Sequence, residues 1–247
     1  MKSAVLATLV ISFLWAFTCL ADDVPRIKVA ATLQPPYIDF ENGEYKGIHV
    51  DVLKMFAEQL KHDLTFIQCP FARCLSMLKS GETDLYIGLI KTKEREKFLT
   101  YIPKPFNIQY DPLKFFLNKN KPLKIESYDD LKPLNIGVLR GVSYFQAFDK
   151  DTSLNKVELL NYQQLLRMLL RGRIDTFIER EESITPWVDP ATYQNNIIIA
   201  DYEYNKGVNS YIAVSKKSIW SPRIEELLSV QEALIKAGKI HRIQPQE

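Results

Sequence analysis

The residues early in the chain best placed to do chemistry are Thr92-Lys93-Glu94-Arg95. A threonine can cap a helix by accepting a backbone N–H of the first turn, and Arg95 then falls within that turn. A cation there opposes the helix dipole, which favours acids at this end. An arginine beside free backbone N–H groups makes sense when an anion sits between them. Taken alone, the segment reads as a surface arginine in the charge run from Lys91 to Lys97, and the anion-binding reading needs support from the rest of the chain. Cys69 and Cys74, in Cys-Pro-Phe-Ala-Arg-Cys, are either a disulfide, if Pro70-Phe71 turns into a helix, or two buried thiols. His49, His62 and His241 are scattered and no Cys/His ligand spacing occurs, so neither a metal nor a cofactor is expected. No Ser/His/Asp or Cys/His constellation is readable, and no catalytic residue is assigned.

The elements that must position Arg95 are a helix stopped by Gly81, a strand through Leu85-Tyr86-Ile87, and the short helix after Thr92. They close a longer alternation. Arg26 to Ala31 reads as a strand. Val50, Leu53, Ala57 and Leu60 fall on one helical face, and Leu64 to Ile67 is a second strand. Ala72 to Lys79 is the helix before Gly81. Strand, helix, strand, helix, strand predicts an α/β fold with a largely parallel sheet. The pattern then repeats. Offset by 91 residues, Met77-Leu78, Gly81, Asp84 and Tyr86-Ile87 lie on Met168-Leu169, Gly172, Asp175 and Phe177-Ile178. One helix–glycine–aspartate–strand unit used twice predicts two similar α/β lobes. Ser221-Pro222 starts a long helix with serine as cap and proline first. This tail is expected to pack on the first lobe. The chain would then cross between lobes twice, near Ile108–Phe116 and near Tyr204–Ser210. The predicted division is residues 22–110 with 208–247 for the first lobe and 111–207 for the second.

Lys2, the apolar run from Ala4 to Phe17 and the small residue Ala21 before Asp22-Asp23 form a secretory signal, with cleavage expected after Ala21. No later apolar run is long enough for a bilayer, so the mature chain is expected to be soluble and exported. Of 247 residues, 226 remain, carrying 31 basic and 30 acidic side chains. Near-neutral, mixed charge argues against nucleic acid as a partner.

Several motifs, in this order, carry a resemblance to a known family. They are Pro36-Tyr37, Gly47-Ile48-His49-Val50-Asp51-Val52, Leu78-x-x-Gly81-x-x-Asp84, Thr92-x-x-Arg95, Gly137-Val138-Leu139-x-Gly141-x-Ser143 and Gly172-x-x-Asp175. The chain resembles the extracellular solute-binding proteins of family 3, the polar amino-acid receptors of ABC importers. The resemblance implies a type II periplasmic binding protein fold of two α/β lobes joined by two crossing segments and closing on a small solute. It also implies a periplasmic monomer whose partner is a membrane permease, or a sensor receptor. It places Arg95 on the ligand's α-carboxylate, Ser143 as a hydroxyl donor from the second lobe, and Phe71 against the ligand's side chain. Gln34 and Tyr37 lie at the first cleft motif, and Arg73, in the turn of Phe71, could reach the cleft. Two departures follow. The Asp84–Arg95 loop is one residue short. The family's ammonium-binding aspartate is replaced by Arg180, with Glu179 beside it. Either Glu179, Glu181 or Glu182 substitutes, or the ligand is anionic and held between Arg95 and Arg180. A dehydratase on the same scaffold is the enzymatic alternative, with Glu179 as its acid or base.

Overall fold

The computed structural model of the chain describes residues 25–109, 111–121 and 123–240. The secretory signal and His241 lie outside these residues. In the first half the chain forms β1 (Ile27–Ala31), the hairpin β2 (Asp39–Glu41) and β3 (Glu44–Lys46), α1 (Ile48–Leu60), and β4 (Leu64–Gln68). It continues with α2 (Phe71–Ser80), β5 (Leu85–Leu89), the one-turn α3 (Lys93–Glu96), β6 (Leu99–Tyr101) and β7 (Asn107–Gln109). Then come β8 (Leu113–Asn118), β9 (Asn135–Leu139), α4 (Gln146–Lys150), β10 (Asn155–Leu159), α5 (Tyr162–Leu170) and β11 (Thr176–Glu179). The last elements are α6 (Glu181–Ile184), α7 (Pro190–Asn196), β12 (Ile197–Tyr204), β13 (Val208–Ser215) and α8 (Ile224–Lys236).

These strands form two large sheets. The first has the order β4-β1-β5-β13-β6, with β7 also on β13; the second has the order β10-β9-β11-β8-β12. Three neighbouring strands of each are parallel, β4-β1-β5 and β10-β9-β11. The fourth strand, β13 or β8, runs antiparallel to them. Both sheets are therefore mixed rather than largely parallel. The reason is connectivity. The fourth strand of each sheet is supplied by chain arriving from the other sheet, which no right-handed helical crossover constrains. The chain passes from the first sheet to the second between Gln109 and Leu113 and returns between Tyr204 and Val208.

Helices cover both faces of each sheet, so its central strands are apolar on both sides. Ile27, Val29 and Ala31 join α1 and α8 in one core, while Ala30 faces α2 in another. Buried Leu227 and Leu234 seat α8 on the α1 face of the first sheet. Phe115 and Phe116, neighbours on β8, likewise enter the two different cores of the second sheet.

The repeated joint is built alike in both halves. Gly81 closes α2 in the left-handed conformation, φ 84°, and Gly172 follows α5 at φ 62°. The aspartate three residues on then does the same work twice. Asp84 accepts the Lys28 N–H at 2.8 Å and Asp175 accepts the Asn135 N–H at 2.8 Å. Each carboxylate thus pins the start of the neighbouring parallel strand.

Asp189-Pro190 begins α7: the Asp189 carboxylate accepts the Thr192 N–H at 2.8 Å and proline occupies the first helical position. One element differs from expectation. Ser221-Pro222-Arg223 forms a turn of 3-10 helix ahead of α8, and Ser221 bonds to the Thr100 hydroxyl at 3.2 Å instead of capping the helix. Among the described residues no helix is long and apolar enough to cross a membrane.

Candidate ligand-binding site

A cavity of about 410 Å³ lies between the two sheets, walled by residues of both. Arg95 enters it from α3. The Thr92 hydroxyl accepts the Arg95 N–H at 3.3 Å, so the threonine does cap this turn. The guanidinium is buried and donates to the Ile90 carbonyl at 2.6 Å and, across the cleft, to the Gly141 carbonyl at 2.9 Å. Its carbon stands 5.5 Å from the centre of the Phe71 ring. Burial pulls its pKa below the usual arginine value, partly offset by nearby Tyr101 and Tyr86 and the charge of Asp149. The carbonyl it uses in its own lobe is aimed by a bulge in β5. Tyr211 pairs with Leu89 and the next residue, Ile212, pairs with Ile87, which leaves Gly88 unpaired at φ 90°.

Gln34, Phe71, Ser143, Glu179 and Arg180 also line the cavity. The Phe71 ring packs edge-on against Tyr86, with centroids 5.6 Å apart. Glu179, at the end of β11, is fully buried, which pushes its carboxyl up to about 7 against the opposing charge of Arg180. One of its oxygens accepts the Arg180 backbone N–H at 3.1 Å. The Arg180 side chain donates from Nε to the Asp111 carbonyl at 3.1 Å, tying the end of β11 to the first crossing segment.

Of the remaining residues of the sequence reading, Cys69 lines the cavity, while Tyr37, Arg73, Glu181 and Cys74 sit outside its wall. The Tyr37 hydroxyl donates to Glu182 Oε1 at 2.5 Å across the cleft, beside a Gln34 to Ser183 bond of 3.1 Å. Arg73 does not reach the cavity. It lies two residues into α2 from Phe71, a turn of about 200° around the axis, and pairs with Glu82 at 3.3 Å on the exposed side. Glu181 is likewise occupied elsewhere, by Lys114 at 2.8 Å and Tyr193 at 2.8 Å. Cys69 and Cys74 are joined by a disulfide with Cα atoms 5.4 Å apart, linking the end of β4 to the first turn of α2 and bracketing Phe71.

Sequence reasoning missed the aromatic part of the wall. Tyr86 reads as a core residue of β5, yet it lines the cavity. Tyr162 and Trp187 stack with centroids 5.8 Å apart and an interplanar angle of 15°. A tyrosine in an otherwise aliphatic buried strand was the available signal for Tyr86; nothing local pairs Tyr162 with Trp187.

Two α/β lobes, two crossings of the chain and one cleft holding buried charges from both sides define a periplasmic binding protein fold. The chain belongs to the bacterial extracellular solute-binding proteins, family 3, whose model matches residues 26–186. It is 27% identical over 181 residues to the L-arginine-binding protein of Pseudomonas aeruginosa, covering 72% of this chain and 68% of that one. It is also 27% identical over 190 residues to the ABC transporter arginine-binding protein 1 of Escherichia coli, covering 76% and 75%. Among solved structures it is similar to an ancestral arginine-binding protein bound to arginine, with TM-score 0.71 and 25% identity over 87% of this chain and 94% of that one.

Proposed function

We propose that this protein captures an amino acid in the interlobe cleft, in the periplasm, and delivers it to the membrane permease of an ABC importer. Arg95 holds the α-carboxylate, Ser143 donates its hydroxyl from the second lobe, and Phe71 lies against the ligand's side chain. The lobes divide at residues 22–110 with 208–247 and at 111–207, and the protein works as a monomer. The observation that carries this reading is Arg95 itself. It is 5% exposed, lines the cavity, and its two hydrogen bonds go to carbonyls. A desolvated guanidinium with N–H groups to spare calls for an oxyanion. The arginine-binding relatives support the amino-acid class. The test is thermal unfolding with and without saturating amino acids. The parent protein is expected to gain several degrees with its ligand, and Arg95→Ala to gain none. An unchanged gain in the variant would remove Arg95 from the carboxylate.

A second reading is favoured by Glu179, whose carboxyl titrates at about 7 inside the cavity and could serve as an acid or base toward a bound small cyclic acid. Dehydration turnover lost in Glu179→Ala while the ligand still binds would support that enzyme; no turnover in the parent protein would dismiss it.

A further inference from the structure

Two guanidiniums and one carboxyl line the cavity, Arg95, Arg180 and Glu179. They are 5%, 9% and 4% exposed. Burying a charge is costly unless an opposite charge or a full set of hydrogen bonds replaces the lost water. Among the described residues none of the three belongs to an ion pair. Each guanidinium has five N–H donors. Arg95 commits two of them and Arg180 one, all to backbone carbonyls. Glu179 commits one oxygen, to a backbone N–H. The two arginines come from opposite lobes. The charge of Arg180 offsets Glu179 only in part, and the cavity therefore offers two guanidiniums and one carboxyl with hydrogen-bonding groups left unused. Its complement is a solute with two negative groups and one positive group.

We infer that the ligand is an acidic amino acid of the glutamate or aspartate class, with its α-carboxylate on Arg95, its side-chain carboxylate on Arg180 and its ammonium facing Glu179. This rests on the amino-acid reading above. It also separates this chain from the relatives named for arginine. A cationic side chain needs a second acid in the wall, and the nearby candidates are engaged outside it. Glu181 pairs with Lys114, and Glu182 accepts the Tyr37 hydroxyl. The residue that departs from the family pattern, Arg180, is then the residue that sets specificity.

Isothermal titration calorimetry of the full mature chain with each of the twenty amino acids and with succinate tests this. L-glutamate or L-aspartate is expected to bind at least about 30-fold more tightly than L-glutamine, L-arginine and succinate, the scale of losing one partner of a buried charge pair. Arg180→Gln is expected to shrink the preference for glutamate over glutamine by about the same factor, and Arg180→Lys to recover part of it. The parent panel decides even if a variant fails to fold. A neutral or basic amino acid binding as tightly as both acidic ones overturns the inference and leaves the amino-acid reading standing. Succinate binding alone, or no binding across the panel, overturns both.

Discussion

Glu179 is the residue whose environment has the clearest consequence for the behaviour of the free protein. Burial raises its carboxyl from the ordinary 4.5 to about 7; the charge of Arg180 and the Arg180 N–H oppose the rise, and Glu182 adds to it. Glu182 is raised in the same direction by its own burial and contributes to the same pH dependence, of which Glu179→Gln isolates the part due to Glu179. Tyr144 and Tyr162 are held well above their usual values by burial, and buried His49, pulled down to about 3, stays neutral. The folded form thus binds a proton between pH 4.5 and 7 that the unfolded form has released. The contribution to stability is fully present below 4.5 and is lost as pH rises through about 7, on the order of 3 kcal/mol for the shift. Glu179→Gln is expected to flatten this decline. Urea unfolding of the ligand-free protein at pH 5 and pH 8 measures it, and equal pH dependence in parent and variant would disprove the buried neutral carboxyl. An ammonium ligand reverses the preference, because it needs the ionised form. Amino-acid affinity is therefore expected to rise across the same interval.

At the scale of elements, the site depends on how β5 ends. The unpaired Gly88 kinks the strand, lines the cavity and precedes the Ile90 carbonyl that receives Arg95. Its φ of 90° strains any side chain, and a Cβ there would stand 2.6 Å from His49 Cε1. His49 has little room to yield, since its ring is held between Tyr37 and Phe106 at 4.8 Å and 5.4 Å. Gly88→Ala is expected to cost about 2 kcal/mol or more and to weaken ligand binding with it. A urea midpoint matching that of the parent would show that the bulge tolerates a side chain. The same strand shows what local sequence can reveal. Thr92 and Arg95 were legible because a cap and its first turn are set by residues three apart, and the Gly81–Asp84 joint because it recurs at Gly172–Asp175. Arg73 was misplaced because two residues of helix turn a side chain from cleft to solvent. The stack of Tyr162 on Trp187 and the choice of Glu179 among four neighbouring charged residues depend on segments distant in sequence, and the mixed strand directions on chain returning from the other lobe, none of which a local pattern encodes.

For the whole molecule, the described conformation has the lobes in contact. Among the described residues three hydrogen bonds span the cleft, from Arg95 to Gly141, from Tyr37 to Glu182 and from Gln34 to Ser183. Gly141 also approaches α2, its Cβ position 3.4 Å from Leu75 and 3.7 Å from Ala72. A ligand enclosed by two lobes leaves only when they part, and motion is concentrated where few contacts cross, at the two crossing segments. The bonds remote from the ligand therefore govern how long the closed form lasts. Tyr37 is suited to isolate this effect: it is buried and crosses the cleft, yet it lies outside the cavity wall. Removing its hydroxyl leaves the Glu182 oxygen without that donor and changes no wall residue. A hydrogen bond to a charged group contributes about 1.5 kcal/mol, close to a factor of ten in a rate. Tyr37→Phe is expected to speed ligand release about tenfold while association changes little, because encounter occurs with the open form before the latch can act. Stopped-flow fluorescence, following Trp187 beside the cavity, separates the two rates. A release rate equal to that of the parent would mean that the Tyr37–Glu182 bond does not hold the lobes closed, and that closure rests on the ligand, Arg95 and the Gln34–Ser183 bond.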